Sequence, residues 1–425
     1  MLKLNAVTDF LHLKKGQRHR FIASALLVFL MTVQLKAFVL DWAGTYFPLA
    51  AGIYFTFLFI VFSLMVFSGK TALYRRIFFV SFAVLFFPSF IANLIELRGS
   101  MSLSAAEIAR AEAPFCHIVI PITLIPALIS KTVIFPARMS GHYASVYGML
   151  GLWLAGSIMF GRGWCSWVCF YGGWDEGFSR LGKKRRINLD KADPRIRYFN
   201  YAMLMFIVLV SLAVFGSVYC QWFCPFKLIT EFADVNNFKN YLAAIIFIVL
   251  FFGVVVLLPL LSKKRAQCGL FCPFGAFQSL VGRISIYRMR RDLQKCSKCM
   301  RCVTACPTFS LNRERILSDN DQMLISCTLC GECAAVCPQQ AVSYDFRTRV
   351  PDKLKNALRR AQERLRRKNS IPAAVVLFIA DTASELLRPV SLLPFAAFTF
   401  GMIISSAFVV KSIHLLISWI TGGAA

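Results

Sequence analysis

Long runs of apolar residues, separated by short polar loops, dominate the 425-residue chain. A helix needs roughly 20 apolar residues to cross a hydrocarbon core about 30 Å thick. Seven runs reach or approach that length: 21–40, 49–67, 77–97, 144–160, 201–219, 241–261 and 392–420. This pattern predicts a mainly α fold, that of a polytopic helical membrane protein in contact with membrane lipid.

Changes in polarity divide the chain into five parts. The predicted parts are a helical membrane domain (1–262), a connecting segment (263–293), a small cysteine-rich α+β domain (294–345), a basic segment (346–370) and a C-terminal membrane segment (371–425).

Three stretches allow more than one interpretation. The basic segment 346–370 has apolar residues at helical spacing, which suits either an amphipathic helix on the lipid surface or a solvated linker. Residues 371–387 are short and carry two acidic residues, so they either span in a protected position or lie at the interface. Residues 117–135 are interrupted by two prolines, which favours a broken or re-entrant helix buried in protein.

The composition agrees with a membrane protein, since 57% of residues are hydrophobic and only 16% are charged. A net charge of +27 is also typical of nucleic-acid binding. The basic residues, however, lie in short loops beside apolar runs, as at 183–186 and 263–265, which is typical of cytoplasmic loops. We therefore expect no nucleic-acid partner, a bacterial-type inner-membrane location and a cytoplasmic position for the domain at 294–345.

The strongest motif, C-x2-C-x2-C-x3-C-P, occurs twice in the polar domain. Three thiolates on such a loop bind three irons of a cubane, and the fourth cysteine reaches the neighbouring cluster. Structural zinc sites instead draw two ligands from each of two separated knuckles, which fits this spacing poorly. We therefore predict two 4Fe–4S clusters, one held by Cys296, Cys299, Cys302 and Cys337 and the other by Cys327, Cys330, Cys333 and Cys306.

Three further cysteine pairs share the spacing C-x3-C: Cys165/Cys169, Cys220/Cys224 and Cys268/Cys272. Positions i and i+4 of a helix lie on one face, so each pair presents two sulfurs together. Buried apolar thiols or disulfides would be simpler interpretations. Three pairs of equal spacing beside a bilayer favour a further iron-sulfur or thiolate-bound metal centre, built from two or three pairs. Hydropathy places the second pair at the opposite end of its span from the other two.

Residues 294–345 resemble bacterial-type dicluster ferredoxins. With GRGWCSWVCFYGGWDE at 161–176, YCQWFCPF at 219–226 and QCGLFCPFGAFQSLVGR at 267–283, residues 145–345 resemble the membrane polyferredoxin family that includes NapH, NosR and CcoG. The resemblance implies an electron-transfer protein, the redox subunit of an oxidoreductase such as a quinol dehydrogenase. Its partners would be the quinone pool or a cytoplasmic donor, and a periplasmic or membrane redox protein.

The sequence leaves other functions open and argues against some cofactors. Thiolate pairs prefer Cu(I), so maturation of a metal centre by copper reduction or handling remains open, as does a redox-sensing scaffold. The absence of C-x-x-C-H excludes c-type haem, and a covalent flavin is not expected. His117 and His142 are interpreted as interfacial residues. Asp175 and Glu176 are predicted to cap a turn or to pair with Arg180.

Overall fold

The computed structural model describes residues 15–96, 146–182, 184–189, 194–214, 218–224, 238–318, 320–348, 371–422 and, between the last two ranges, 357, 360, 361, 363 and 364. The helices of the membrane domain and its C-terminal extension are α1 (Lys15–Leu35), α2 (Pro48–Ser68), α3 (Thr71–Glu96), α4 (Val146–Phe160), α5 (Trp164–Trp167), α6 (Phe170–Arg180), α7 (Phe199–Val214), α8 (Phe238–Ile248), α9 (Leu258–Ser262), α10 (Pro273–Val281), α14 (Ile371–Leu386) and α15 (Pro389–Ile420). Wider π-helical turns extend α1 to Ala43 and join α8 to α9.

Among the described residues, six helical stretches are long and apolar enough to cross a membrane. They coincide with six of the seven predicted runs, and they are Gln17–Ala43, Pro48–Ser68, Thr71–Ser89, Arg195–Val214, Tyr241–Ser262 and Pro389–Ile420. The remaining predicted run is 144–160, and its described part is the 15-residue helix α4. The prediction of a multi-pass helical membrane protein is confirmed.

The core of the membrane domain lies where α3 packs against α15. Phe78, Phe82 and Phe86 recur every four residues on α3 and therefore share one face of that helix. The ring of Phe78 lies 4.3 Å from that of Phe398, and the ring of Phe86 lies 4.5 Å from that of Phe408. Aromatic pairs of this kind contribute about 0.5–1.5 kcal/mol each beyond the area that they bury. This aromatic face holds α3, which carries basic residues at its start, firmly in place.

Helix α14 packs beside α1, and its acidic residues have partners there. Asp381 Oδ2 lies 4.0 Å from His19 Nε2, and Glu385 Oε2 lies 3.7 Å from Arg20 Nε. His19 Nδ1 also lies 3.0 Å from Thr382 Oγ1. These partners belong to the basic start of α1. Asp381 and Glu385, the two acidic residues of 371–387, therefore lie beside that start and have polar partners there.

Between α10 and α14 the chain forms a small ferredoxin-like segment, residues 287–346. Strand β1 (Tyr287–Arg291) pairs antiparallel with β2 (Val342–Phe346), so the first and last elements of the segment close it. The sheet begins ahead of the predicted boundary at residue 294. Between the strands lie three short helices, α11 (Arg301–Ala305), α12 (Arg313–Leu317) and α13 (Glu332–Ala335).

Some predictions fall outside the described residues. They concern the proline-broken stretch 117–135, His117, His142 and most of the basic segment 346–370.

Candidate metal centres

Four thiols of the ferredoxin-like segment line a cavity at its exposed end, termed the distal cavity. Three of them, Cys296, Cys299 and Cys302, belong to the first motif, and the fourth, Cys337, closes the second motif. Cys299 is exposed and Cys302 is buried. Buried Arg291 also lines the cavity, with Nη1 3.6 Å from Cys296 Sγ. A positive charge therefore lies beside the sulfurs of this cavity.

The reciprocal set of thiols lines a second cavity, termed the proximal cavity. Cys327, Cys330 and Cys333 come from the second motif, and Cys306 closes the first. Cys306, Cys330 and Cys333 are buried, so solvent reaches the thiols of this cavity less than those of the distal one. Each motif thus supplies three thiols to one cavity and one thiol to the other.

The backbone explains why the two motifs form matching loops. Three positions have positive φ in both motifs. Two of them are the second and fourth residues after the first cysteine of the motif, and the third is three residues after its last cysteine. Such left-handed conformations cost about 1–3 kcal/mol for a non-glycine residue, and each one turns the chain sharply. At Gly331 a Cβ would collide with the hydroxyl of Tyr344. The residues concerned are Lys298, Met300 and Phe309 in the first half, and Leu329, Gly331 and Gln340 in the second.

A third group of thiols lies in the membrane domain and combines the first and third C-x3-C pairs. Cys165 lies on α5, and Cys169 immediately precedes α6. Cys268 lies in a π-helical turn, and Cys272 immediately precedes Pro273, the first residue of α10. All four are buried, between 2% and 7% exposed. We term this group the membrane thiol site.

The thiols of this site are buried, and each lies within electrostatic reach of others. Burial, and then the neighbouring thiols Cys165 and Cys272, raise the pKa of Cys169 well above its usual value. Burial, together with the neighbouring thiol Cys165, raises the pKa of Cys272 to about 12. Such thiols are protonated at neutral pH unless a bound metal displaces the proton. The site therefore suits a thiophilic metal group.

Two buried guanidinium groups flank the membrane thiol site. Arg162 donates to the carbonyl of Cys268 over 2.6 Å and to Ser279 over 2.9 Å. Arg265 donates to the carbonyl of Cys165, and its Nη2 lies 3.8 Å from Cys268 Sγ. Positive charge at buried sulfur favours the thiolate form, because an opposite charge nearby stabilises the ionised group. These arginines are suited to compensating a set of bound thiolates.

Cys224 of the second C-x3-C pair contacts a residue of α6. Cys220 lies in the π-helical turn Tyr219–Phe223, and Cys224 directly follows that turn. Cys224 Sγ lies 3.3 Å from the hydroxyl of Tyr171, which is two residues beyond Cys169. The sequence placed this pair at the far end of its span. In the structure Phe223 packs on Phe206 of α7, and Cys224 lies beside Tyr171.

A network of ion pairs connects the membrane domain to the proximal cavity. Arg75, fully buried at the start of α3, donates twice to Glu176 over 2.9 and 2.6 Å. Glu332, next to Cys333, lies 2.6 Å from Arg76, 3.2 Å from Arg180 and 3.5 Å from Arg75. These charges join α3, α6 and α13.

The two carboxylates predicted to cap a turn have other partners. Burial would raise the pKa of Glu176, but Arg75 and Arg265 hold it at about 2. Asp175 accepts a 2.9 Å hydrogen bond from the backbone N–H of Cys268, and its burial raises its pKa to about 7. Arg180, the predicted partner, forms an ion pair with Glu332 and lowers the pKa of Glu176 less than Arg75 and Arg265 do. The prediction was wrong because it considered only local partners.

Two further contacts hold the ferredoxin-like segment against the membrane domain. The Trp167 indole N–H donates to the carbonyl of Leu329, which lies between Cys327 and Cys330, over 3.2 Å. Lys264, 2% exposed, donates to the carbonyl of Cys306 over 2.7 Å. The proximal cavity is therefore the one that faces the membrane domain.

Lys264 and Arg265 had been assigned to membrane orientation, and the structure corrects that assignment. Both are buried and bind the ferredoxin-like segment or the thiol site. Arg75 and Arg162 were not identified from the sequence at all. The signal that was available is that Arg162 and Arg265 each stand three residues before a C-x3-C motif, at the same offset.

The side chains of the three groups of thiols determine which metal cofactor each group could hold. Within the part of the chain that is described, no three His, Cys, Asp or Glu side chains stand close enough together to bind a single metal ion. Each of the three groups consists of four cysteines and offers sulfur ligands alone. Four cysteine thiolates are the ligands of a 4Fe–4S cluster. The donor chemistry of each group fits that cofactor.

Comparison with known domains identifies iron-sulfur modules in both regions. A 4Fe-4S binding domain matches three times, at residues 142–188, 196–238 and 244–294, and each match contains one C-x3-C pair. A 4Fe-4S dicluster domain matches residues 288–338. The chain therefore carries iron-sulfur binding domains.

Several curated proteins are similar to this chain. The ferredoxin-type protein NapH of Escherichia coli is 27% identical over 49% of this chain and 71% of its own length. The putative electron transport protein YccM of the same organism is 25% identical over 47% of this chain and 56% of its own length. The methylamine utilization ferredoxin-type protein MauN of Paracoccus denitrificans is 26% identical, over 47% and 67%. No solved structure matches the chain.

Proposed function

The chain belongs to the NapH-like polyferredoxin family of iron-sulfur electron-transfer proteins, and on that premise we propose that it passes electrons between a cytoplasmic or quinol donor and a membrane or periplasmic acceptor system. The observation that carries the proposal is the presence of three groups of four cysteines, two in the ferredoxin-like segment and one in the membrane domain. When bound, 4Fe–4S clusters supply reversible one-electron transfer.

In this proposal Cys296, Cys299, Cys302 and Cys337 hold one cluster, and Cys327, Cys330, Cys333 and Cys306 hold a second. The lining of the distal and proximal cavities supports this exchange of the fourth ligand. The short left-handed loops keep three thiols of each set on one side of the chain.

A third centre is assigned to Cys165, Cys169, Cys268 and Cys272. The mutual electrostatic effect of these thiols and the two flanking arginines supports it. Cys220 and Cys224 stay outside this set of four. Cys224 contacts the hydroxyl of Tyr171, so we place the second pair beside the centre, on the path toward the acceptor.

The protein's own side chains would perform two tasks in this electron transfer. Burial excludes water from the membrane thiol site, so little solvent has to reorganise when charge moves. Arg162, Arg265 and Arg291 place fixed positive charge beside the sulfurs and thereby favour the more negative, reduced state. The Trp167 and Lys264 contacts keep the proximal cavity against the membrane domain.

We place the protein in the inner membrane with the ferredoxin-like segment on the cytoplasmic side. The segment lies against the start of α3 and the basic turn at Lys264, and basic loops are enriched on the cytoplasmic side. This position would let a soluble donor reach the distal cavity while a quinol or membrane partner meets the membrane domain.

Electron passage can be tested with the full chain, purified anaerobically and reconstituted in liposomes. Menaquinol, ubiquinol or a reduced soluble carrier is supplied in turn, and reduction of the centres is followed by electron paramagnetic resonance. We expect at least one donor to reduce the wild type, and Cys302→Ser to lose the signal of one centre. Cys116→Ser, the cysteine outside all the motifs, is the control. A loaded protein that no donor reduces would contradict the proposal.

A further inference from the structure

The three groups of thiols differ in how far solvent reaches them. The thiols of the membrane site are 2–7% exposed, and three of the four in the proximal cavity are also buried. In the distal cavity Cys299 is exposed, and Cys296 and Cys337 are half-buried. Electron tunnelling weakens steeply with distance, so a soluble protein can exchange electrons efficiently only at the distal cavity.

Among the described residues, no hydrogen bond or ion pair joins the segment around Cys299 to the membrane domain. The contacts with that domain run through the carbonyls of residues 303, 304 and 306, through Leu329 and through Glu332. Residues 292–301 form an exposed loop, in which only Cys296 and Met300 are half-buried. The loop is therefore open to a partner in solution.

The charge of this loop is positive. Lys295, Lys298 and Arg301 are exposed within seven residues and surround Cys299 in sequence, whereas the loop contains one acidic residue, Asp292. Asp292 lies 3.7 Å from Lys295, which leaves the positive charges of Lys298 and Arg301 nearest to Cys299. We term residues 292–301 the basic loop.

We propose that the basic loop is the docking surface for a small, acidic, soluble electron-carrier protein, which exchanges single electrons at the distal cavity. The inference rests on the proposed function and names the class of partner. In the donor direction, the reduced carrier loses one electron, and the group held by Cys296, Cys299, Cys302 and Cys337 gains it. No bond is formed or broken, and no proton is required.

Complementary charge is the physical basis of this choice. Opposite charges steer encounter and raise association rates by roughly 10- to 1,000-fold at low ionic strength. The chief competing role for basic residues in a membrane protein is contact with anionic lipid. The basic loop is exposed, and among the described residues it makes none of the hydrogen bonds or ion pairs that join the ferredoxin-like segment to the membrane domain, which favours a soluble partner over the bilayer.

The test uses the full, anaerobically purified chain in nanodiscs of neutral lipid. An acidic plant-type ferredoxin is the probe, and the same ferredoxin with its carboxylates amidated is the neutralised probe. Stopped-flow mixing gives the second-order rate constant for electron transfer. Lys298→Glu/Arg301→Glu is compared with wild type and with Lys70→Glu, a control at an exposed lysine in the loop between α2 and α3.

For the acidic probe we expect the double variant to be slower by roughly tenfold or more at low ionic strength. The difference should vanish near 1 M salt, where the Debye length is about 3 Å. Lys70→Glu should react like wild type, and the amidated probe should react slowly with all three proteins. The magnetic resonance spectrum of the double variant should be that of wild type.

Three results would overturn the docking surface. They are a double variant as fast as wild type, a loss of rate that persists at high salt, and a rate that follows added anionic lipid instead of the charge of the carrier. Absence of any reducible centre in the wild type would contradict the proposed function itself. If the centres can be reduced but the rate constant for electron transfer does not depend on these charges, only the docking inference is contradicted.

Discussion

Arginine side chains that are buried completely are the least expected feature at the scale of single residues. Arg75, Arg162 and Arg265 are all between 0% and 1% exposed. A buried ion is costly unless it is paired and hydrogen-bonded, and removing one partner leaves the other charge uncompensated. In this protein each guanidinium group contacts either a carboxylate or the backbone of a thiol-bearing turn. These residues therefore fix the geometry around the thiols as well as the local charge.

Substituting Arg75 should be strongly destabilising. Arg75→Gln leaves Glu176 buried without its two-pronged partner and also weakens the contact to Glu332. Breaking one side of a buried pair typically costs about 3–5 kcal/mol. The free energy of unfolding, measured with denaturant in detergent micelles, should fall by about that amount. Arg186→Gln, at an exposed arginine, is the matched control and should change stability by about 0.5 kcal/mol or less. Equal stability of the two variants would contradict a stabilising role for the network.

At the scale of elements, the loops and turns that carry cysteines differ in how well the sequence predicts them. The twin motif fixes which residues lie on each loop, because its spacing is local, and the cavities bring those residues together. The sequence predicted a centre built from two or three C-x3-C pairs and placed the first and third pairs at the same end of their spans. It could not specify how they meet, since that depends on how α6 packs against α3 and α9. The approach of Cys224 to Tyr171 was missed because hydropathy cannot distinguish a chain that crosses the membrane from one that turns back.

The exchange of ligands between the two motifs gives an element-scale prediction. Cys306 closes the first motif but lines the proximal cavity. Cys306→Ser should therefore alter the same magnetic resonance signal as Cys333→Ser, and leave the signal that Cys302→Ser removes. The physical reason is that α11 points Cys306 toward the second loop. If Cys306→Ser instead altered the signal lost in Cys302→Ser, each motif would hold its own cluster and the assignment would fail.

At the scale of the whole molecule, the ferredoxin-like segment is held against the membrane domain by side chains from several helices. Trp167, Lys264 and Arg75 contact Leu329, Cys306 and Glu332 respectively. The sequence predicted both parts and the presence of iron-sulfur domains, but assigned the basic residues between them to membrane orientation. Positive residues near apolar runs have that meaning in most membrane proteins, and only long-range packing identifies the ones that are buried. The arrangement orders the groups of thiols from solvent to membrane.

The most direct test of the account is metal and acid-labile sulfide analysis of the anaerobically purified full chain, combined with a redox titration followed by electron paramagnetic resonance. Three cubanes of four irons each predict about twelve irons and about twelve sulfides per chain, and three reducible signals. Cys268→Ser should lower the iron content by about one third, since it removes one of three centres. Zinc in place of iron, or iron without reducible signals, would contradict electron transfer by this protein.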